Sequence, residues 1–378
     1  MITIAGTCTT ALICCREDLE GASIERYALD QIRLLCDTEA LRGSRIRVMP
    51  DVHPGKTGPV GLTLTVGDAV LPGLVGVDIG CGVDMVRLGR YRNDFQKLDT
   101  VIRENVPVGS RIRKTPHHEA ETADLGALRC EKHIRREKAL LSLGTLGGGN
   151  HFIELDRSGD GEVYLAVHSG SRHLGKEVAD HYMEKGARRL KKQGLAVPYE
   201  MTYLTEEEKD DYLHDLEIVQ RYAALNRRII IREICKAMKW KEEEWISCIH
   251  NYIDADGAQP VLRKGAISAK QGERVIIPVN MKDGILLGRG LGNADWNESA
   301  PHGSGRIASR EDVTKSHTVS EFKAAMKGIY SSCIGAGTLD EAPFAYRGIA
   351  YLQEAVRDTV RIEDRLTPMY SYKGGKDN

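Results

Sequence analysis

One short glycine-rich segment constrains the fold more than any other part of the sequence: Gly76-Val77-Asp78-Ile79-Gly80-Cys81-Gly82-Val83. It follows an apolar run, residues 70–77, which predicts a buried strand that ends in a tight turn. Because glycine adopts positive φ and lets the backbone approach a ligand, Asp78 and Cys81 can converge on one point, as metal ligands do. The alternative interpretation of Cys81 is a small buried hydrophobic residue.

The composition is that of a globular protein with reduced thiols. The 378 residues, 41% of them hydrophobic, are enough to bury a core. A net charge of -1 gives no overall attraction to nucleic acid or to an anionic membrane, so an RNA or phosphate partner must be held by local basic patches. The nine cysteines form no CxxC pair, and no apolar run approaches the ~20 residues of a membrane helix. We therefore expect a cytoplasmic protein without a membrane partner.

Hydrophobic periodicity and turn residues predict alternating strand-rich and helix-rich stretches. Helices are expected over residues 23–39, capped by Ser23, and over 320–329 and 345–358. Strands are expected over 1–15, 162–170, 246–253, 265–268, 275–279, 284–291 and 361–372. Residues 94–140 and 175–245 are expected to be helical insertions. The pattern predicts an α+β fold, one domain over residues 1–378 with a mixed β-sheet core around the predicted metal site.

Four histidines share an informative setting, because three of them close an apolar strand or turn and the fourth lies in a glycine segment: His151, His168, His250 and His302. Each alone is more often a packed core or loop residue than a ligand. Together with Asp78 and Cys81 they favour a dinuclear metal centre, because a thiolate can bridge two ions and each neutral imidazole supplies one lone pair. The ligand set alone fits zinc as well as manganese.

Two glycine segments, residues 144–150 and 302–306, predict phosphate binding. Successive backbone N–H groups in such loops can bind an anion, and Arg306 adds a bidentate guanidinium. Neither segment is a Walker loop or a dinucleotide fingerprint, and simple turns are the alternative. His302 lies among these features rather than at the end of a strand, which favours a nucleophile over a ligand.

Taken in order, these motifs closely resemble the RtcB family of RNA ligases over nearly the whole chain. The matching residues are Asp51-Val52-His53-Pro54-Gly55, 78–83, Gly148-Gly149-Asn150-His151-Phe152-Ile153-Glu154, 168–172, His250-Asn251, Arg263-Lys264-Gly265-Ala266, 302–306, Asp340-Glu341-Ala342-Pro343, Tyr346 and Lys373. The resemblance implies GTP- and Mn²⁺-dependent joining of an RNA 3′-phosphate or 2′,3′-cyclic phosphate to a 5′-hydroxyl, in RNA repair or tRNA splicing.

The resemblance also implies roles for individual residues. His302 would attack the α-phosphate of GTP to form a histidine-bound GMP, with Asp51 accepting a hydrogen bond from its other ring nitrogen. Two Mn²⁺ ions would be held by Asp78, Cys81, His151, His168 and His250. The nucleotide would contact Asn150, Glu154, Gly303, Ser304, Gly305, Arg306, Tyr346 and Lys373.

Guanine recognition is expected from Glu154, because a carboxylate can accept both N1–H and the 2-amino group. Tyr346 would stack on the base and Lys373 would donate to it; the alternatives are a surface strand residue for Glu154 and a frayed terminus for Lys373. A dinuclear metallophosphatase or nuclease, or an RNA-binding module without catalysis, are the competing functions. The sequence departs from the family's usual pattern at Ser304 and along residues 277–290.

Overall fold

The computed structural model describes residues 1–15, 19, 23–91, 94–257 and 259–375. The strands are β1 (Ile2–Ala5), β2 (Thr10–Ile13), β3 (Ile46–His53), β4 (Val60–Thr65), β5 (Ala69–Val70), β6 (Gly82–Gly89), β7 (Phe152–Arg157), β8 (Val163–Ser169), β9 (Leu204–Thr205), β10 (Glu244–Ile249), β11 (Asn251–Asp254), β12 (Val261–Lys264), β13 (Ala266–Ser268), β14 (Arg274–Asn280), β15 (Gly284–Gly290), β16 (Ser299–Pro301) and β17 (Val360–Lys373).

The α-helices are α1 (Arg26–Cys36), α2 (Pro72–Val75), α3 (Phe95–Asn105), α4 (Arg136–Ser142), α5 (Arg172–Lys192), α6 (Glu206–Met238), α7 (Arg310–Ser316), α8 (Val319–Ala325) and α9 (Ile349–Ala355). Short 3₁₀ helices are Glu39–Leu41, Ala120–Ala123, Leu125–Ala127, Glu131–His133, Tyr199–Met201, Ala294–Trp296, Ala336–Glu341 and Pro343–Ala345. None of the described helices is long and apolar enough to cross a membrane.

Two large sheets carry most of the strands in this mixed α/β structure. A six-stranded sheet has the order β1-β2-β3-β4-β12-β11, and the parallel pairing of β2 with β3 makes it mixed. A seven-stranded antiparallel sheet has the order β10-β6-β8-β7-β17-β15-β14. In this second sheet, strands that are far apart in sequence become neighbours, so the loops at their ends meet.

Helix α6 is shared by two hydrophobic cores. Its first half, with Leu216 and Val219, packs in the core under the six-stranded sheet, and its second half, with Ile230 and Ile234, packs on the seven-stranded sheet. All four side chains are at most 2% exposed, which confirms that the helical spacing of apolar residues in this segment reflects core packing.

Several sequence-based boundaries are wrong in detail. The apolar run 70–77 is not a strand, because β5 stops at Val70 and the helical turn α2 follows; Pro72 in that turn has a fixed φ suited to a first helical position. Helix α1 starts at Arg26 with Glu25 at its N-cap position, so Ser23 does not cap it. Residues 94–140 contain α3 and the start of α4 joined by 3₁₀ turns, and are less helical than expected.

The ion pair between Arg227 of α6 and Asp84 of β6 is fully enclosed. Arg227 Nε lies 2.8 Å from Asp84 Oδ1, and its Nη1 donates to the carbonyl oxygens of Gly80 and Ser169 at 2.7 and 3.1 Å. Arg227 is 0% exposed. One buried side chain therefore fixes α6 to β6 and to the loops that precede β6 and follow β8.

We expect Arg227→Met to destabilise the protein by about 3–5 kcal/mol, because it leaves the Asp84 carboxylate buried without its cation. The free energy of unfolding from urea denaturation measures this. The matched control is Arg221→Gln on the same helix, whose exposed pair with Glu217 is worth at most about 0.5 kcal/mol. Equal losses in the two variants would contradict this account.

Candidate active site

The order of strands β10-β6-β8-β7 brings the predicted metal ligands together. Cys81 immediately precedes β6, His151 precedes β7, His168 lies near the end of β8, and His250 follows β10. In the register, His168 pairs with both Val83 and Phe152, so the three neighbouring strands present Cys81, His151 and His168 at one edge. The proximity of these side chains follows from strand order and not from closeness in sequence.

The donor atoms of this cluster lie within a few ångströms of one another. Cys81 Sγ is 3.2 Å from His168 Nε2 and 3.5 Å from His151 Nε2. His168 Nε2 is 3.3 Å from His250 Nε2, and His151 Nε2 is 3.3 Å from Asp78 Oδ2. All five predicted ligands therefore meet in one group, four of them buried and Asp78 partly exposed.

Hydrogen bonds behind the imidazoles fix which ring nitrogen faces the centre. His151 Nδ1 donates to the Leu146 carbonyl at 2.8 Å, and His168 Nδ1 donates to the Asn150 carbonyl at 3.1 Å. Burial lowers the pKa of His168 and of His250 well below the usual value, so both rings are neutral. The Nε2 atom of His168 then carries a lone pair that faces Cys81 and His250, and a cation bound there would stabilise this arrangement. The donor set and its tautomers fit a metal ion.

Two glycines let the loops close around this cluster. Gly80 has φ of 70°, and a Cβ there would lie 2.8 Å from the Cβ of Ala223, so the turn packs directly on α6. A Cβ on Gly170 would lie 2.1 Å from Asp78 Oδ1. Larger side chains at either position would displace the segment that carries Asp78 and Cys81.

Asn226, the neighbour of Arg227 on α6, holds two further loops in place. Its side-chain oxygen accepts from the N–H groups of Gly144 and Thr145, and its amide donates to Ser169 Oγ and the Gly170 carbonyl. The first part of the glycine loop 144–150 is thus bound to the protein itself, and only its later N–H groups remain for the predicted phosphate contact. Asn226 and Arg227 were not predicted from the sequence, although the polar run 226–228 that interrupts an apolar stretch of this helix was a signal.

His302 stands beside the cluster and is oriented by a buried carboxylate. Its Nδ1 lies 2.8 Å from Asp51 Oδ2, and Asp51 is 0% exposed. Its ring centroid is 4.8 Å from that of His250. With Nδ1–H donated to Asp51, the Nε2 lone pair is free to act as a nucleophile or base.

Two cavities meet at this point. A cavity of about 430 Å³, the larger cavity, includes Asp78, Cys81, Lys56 and Lys264 in its walls. A cavity of about 160 Å³, the smaller cavity, contains the predicted nucleotide-binding side chains in its walls. Both cavities are lined by His53, Asn150, His250 and His302. A group bound in either cavity would therefore lie next to His302.

Two cationic side chains that line the smaller cavity, Arg310 and Lys373, pair with Glu341 beside it. Glu341 accepts from the Tyr346 hydroxyl at 2.5 Å, and lies 3.5 Å from Lys373 Nζ and 2.5 Å from Arg310 Nη1. Lys373 lies in β17, where it pairs with Phe152 of β7, and it is only 7% exposed. Lys373 is therefore a buried strand residue, and the alternative of a frayed terminus is wrong.

Other predicted nucleotide contacts are engaged within the protein. Arg306 donates to the carbonyl of Asp340 at 2.9 Å, and its guanidinium lies 5.2 Å from the ring centre of Tyr346. The hydroxyl of Ser304 donates to the Val279 carbonyl at 2.8 Å and joins the 302–306 loop to β14. Glu154 is 4% exposed and lines the smaller cavity, so the alternative of a surface residue is wrong.

Comparison with known proteins gives the family. The family model described as tRNA-splicing ligase RtcB matches residues 35–133 and 114–374, which include every predicted site residue. The chain is 30% identical to the RNA-splicing ligase RtcB of Escherichia coli strain K12, over 87% of this chain and 90% of that protein. It is 28% identical to the tRNA-splicing ligase RtcB of Archaeoglobus fulgidus, over 93% of this chain and 92% of that protein. The chain therefore belongs to the RtcB family.

Proposed function

We propose that this protein is a GTP- and Mn²⁺-dependent RNA ligase that joins an RNA 3′-phosphate or 2′,3′-cyclic phosphate to a 5′-hydroxyl. The observation that carries the proposal is the His302–Asp51 pair, held at the junction of two cavities and beside a cluster of metal-ligating side chains. Membership of the RtcB family supports RNA ligation, and the orientation of His302 by Asp51 supports a covalent histidine intermediate. The same proposal treats residues 1–378 as one catalytic domain, because α6 contributes to two of its cores.

In this proposal the nucleotide occupies the smaller cavity and the RNA ends occupy the larger one. Lys56 and Lys264 line the larger cavity, and Lys264 Nζ donates to the Thr57 carbonyl at 2.6 Å without a carboxylate partner among the described residues. Burial lowers the pKa of Lys264 to about 8. At neutral pH the Lys264 amine is therefore protonated in most molecules and carries a positive charge. A buried cation of this kind favours a phosphate group at the RNA end.

His302 carries the transferred group. Its Nε2 attacks the α-phosphorus of GTP, a nitrogen–phosphorus bond forms, and pyrophosphate leaves. A 3′-phosphate oxygen of the RNA then displaces the histidine, which gives an RNA 3′-diphosphoguanosine end; a cyclic phosphate is hydrolysed first. Attack by the 5′-hydroxyl on this end forms the phosphodiester and releases GMP. Asp51 keeps Nδ1 protonated and stabilises the positive charge that develops on the ring.

Cys81, His151, His168, His250 and Asp78 would hold the two Mn²⁺ ions. Bound there, the ions supply Lewis-acid polarisation of phosphate oxygens and stabilise leaving-group charge. A thiolate ligand requires a reducing compartment, in agreement with a cytoplasmic location. A metallophosphatase or nuclease would use such a centre but would need neither a nucleophilic histidine nor a base pocket.

We expect Cys81→Ala to lose both Mn²⁺ binding and guanylylation, because the substitution removes the thiol that contacts both His151 and His168 in the ligand cluster. Metal content after dialysis and the rate of covalent labelling with α-labelled GTP measure the two effects. Cys235→Ala, at a buried cysteine of α6 outside the cluster, is the control and should retain both. Full metal content and full ligation in Cys81→Ala would refute the metal assignment.

We expect His302→Ala to bind metal and GTP but to form no covalent GMP adduct. Asp51→Asn should retain the nucleophile and lower the rate of labelling by about 100-fold or more, because it disturbs the tautomer of His302. A denaturing gel detects the adduct, and the label should be acid-labile and alkali-resistant, as a phosphoramidate is. His118→Ala, at a strongly exposed histidine, serves as the control.

RNA that already carries a 3′-diphosphoguanosine end separates the role of His302 in GMP transfer from the final joining step. His302→Ala should ligate this RNA, since only the earlier steps require the imidazole. Zero ligation of the activated RNA by a His302→Ala protein with normal metal content would show that His302 does not act by carrying GMP.

We expect Glu154→Gln to reduce guanylylation and to narrow the preference for GTP over ATP, because it places an amide donor against the donors of guanine. A site built to accept buried donors can discriminate by about 10⁴-fold, so the loss is readily measured as the ratio of kcat/KM for the two nucleotides. Glu363→Gln, at a more exposed carboxylate on β17, is the control. An unchanged ratio in Glu154→Gln would place base recognition elsewhere, along residues 277–290 first.

A further inference from the structure

Strand β7 places a second carboxyl group next to Glu154. Asp156 is two residues further along the strand, so both side chains point to the same face of the seven-stranded sheet, while Ile153 and Leu155 point to the core on the other face. Asp156 is 0% exposed and Glu154 is 4% exposed. Glu154 lines the smaller cavity, and Asp156 lies behind it, away from the lining.

Neither carboxyl group is fully satisfied by the protein. Glu154 Oε1 and both carboxyl oxygens of Asp156 are buried without a hydrogen-bond partner among the described residues. Two ionised carboxylates side by side in such a site repel each other, so one of them takes up a proton. A protonated carboxyl group gains a donor, and the adjacent carboxylate is an acceptor for it.

The surroundings decide which group holds the proton. Burial raises the pKa of both groups; the positive charge of Lys373 on β17 counteracts this at Glu154, whereas the negative charge of Glu154 raises the pKa of Asp156 further. On β8, the residues opposite Glu154 and Asp156 are Ala166 and Tyr164, and on β17 they are Ser371 and Pro368, so these four neighbours bring no charge to the pair. Beyond Lys373 lies Glu341, which pairs with that lysine. The proton therefore belongs to Asp156 and the negative charge to Glu154.

We propose that Asp156 is a positioning residue for base recognition, which donates its carboxyl proton to Glu154 and so presents Glu154 to the smaller cavity as an oriented, charged acceptor. This inference rests on the proposed binding of a guanine base in that cavity. The shared proton leaves one negative charge in the pair instead of two, and it restrains the rotation of the Glu154 side chain. Both acceptor functions of the carboxylate can then meet N1–H and the 2-amino group of guanine.

The test is equilibrium binding of GMP and of AMP from about pH 5 to about pH 9. Since guanine requires the charged form of Glu154, affinity for GMP should be full at high pH and should decrease as the pH falls through the pKa of Glu154. Asp156→Asn, whose amide also donates, should bind GMP within about threefold of the parent protein. Asp156→Val removes the donor, so the loss of GMP binding should begin about one pH unit higher. This shift corresponds to about fivefold weaker affinity at the pH at which half of the parent's Glu154 is protonated, and to about tenfold weaker affinity well below that pH.

AMP binding should be equal in all variants. The control Asp160→Asn, at an exposed aspartate in the turn after β7, should bind GMP with the same pH dependence as the parent protein. Valine fills the space of the carboxyl group in a strand, and Asp156→Ala repeats the test without added bulk; circular dichroism verifies that each variant is folded. An unshifted pH profile in both donor-less variants, or equal impairment of Asp156→Asn and Asp156→Val, would overturn the inference. So would a parent protein that binds AMP as well as GMP.

Failure of the proposed ligase activity would give a different result. A parent protein that prefers GMP to AMP, with the expected Asp156 dependence, but forms no covalent adduct with GTP and Mn²⁺ would refute histidine guanylylation and leave the role of Asp156 intact.

Discussion

Two adjacent polar side chains in the middle of α6 hold the active-site loops in a fixed arrangement. Asn226 and Arg227 are both 0% exposed in an otherwise apolar stretch of helix, and together they bond the loops that contain residues 80, 144–145 and 169–170. Buried polar groups are costly when they lose hydrogen-bond partners, so any movement of these loops that breaks the bonds is disfavoured. The rest of the site depends on this constraint, because Cys81, His151 and His168 lie within a few residues of those bonds.

The cluster of cysteine and histidines shows the consequence of such rigidity. Backbone carbonyls fix Nδ1 of His151 and His168, which leaves the Nε2 lone pair of each ring directed toward Cys81 Sγ. This concentration of unshared electron pairs is unfavourable by itself and becomes favourable around a cation. His302 is oriented in the same way by Asp51, but its second nitrogen faces the junction of the two cavities.

Close pairs of opposite charge lie beside the smaller cavity. Glu341 is surrounded by Arg310, Lys373 and the Tyr346 hydroxyl, so its charge is compensated within the protein. Glu154 lines this cavity, and its Oε1 is buried without a hydrogen-bond partner among the described residues. Glu341 is thus held by side chains of the protein, whereas Glu154 lines the cavity and is available to a ligand that offers donors.

The sequence by itself identified the residue types that carry the chemistry and much of the secondary structure. Histidines after apolar runs, the glycine turn around Cys81 and the apolar period of α6 are local patterns, and local backbone and burial preferences determine them. The strand 162–170 was placed within one residue of β8 at each end, whereas the run 70–77 was misread because apolar composition alone does not separate a strand from a helical turn beginning at Pro72.

Only the tertiary structure decided which of these residues meet. His302 and Asp51 are 251 positions apart, and they meet because the six-stranded sheet and the loop after β16 are packed together. Strand order in the seven-stranded sheet places Lys373 opposite Phe152 and buries Asp156 behind Glu154. The same packing engages Arg306 and Ser304 within the protein. Contacts between distant segments depend on strand pairing and helix packing over the whole chain, which no local pattern of residues encodes.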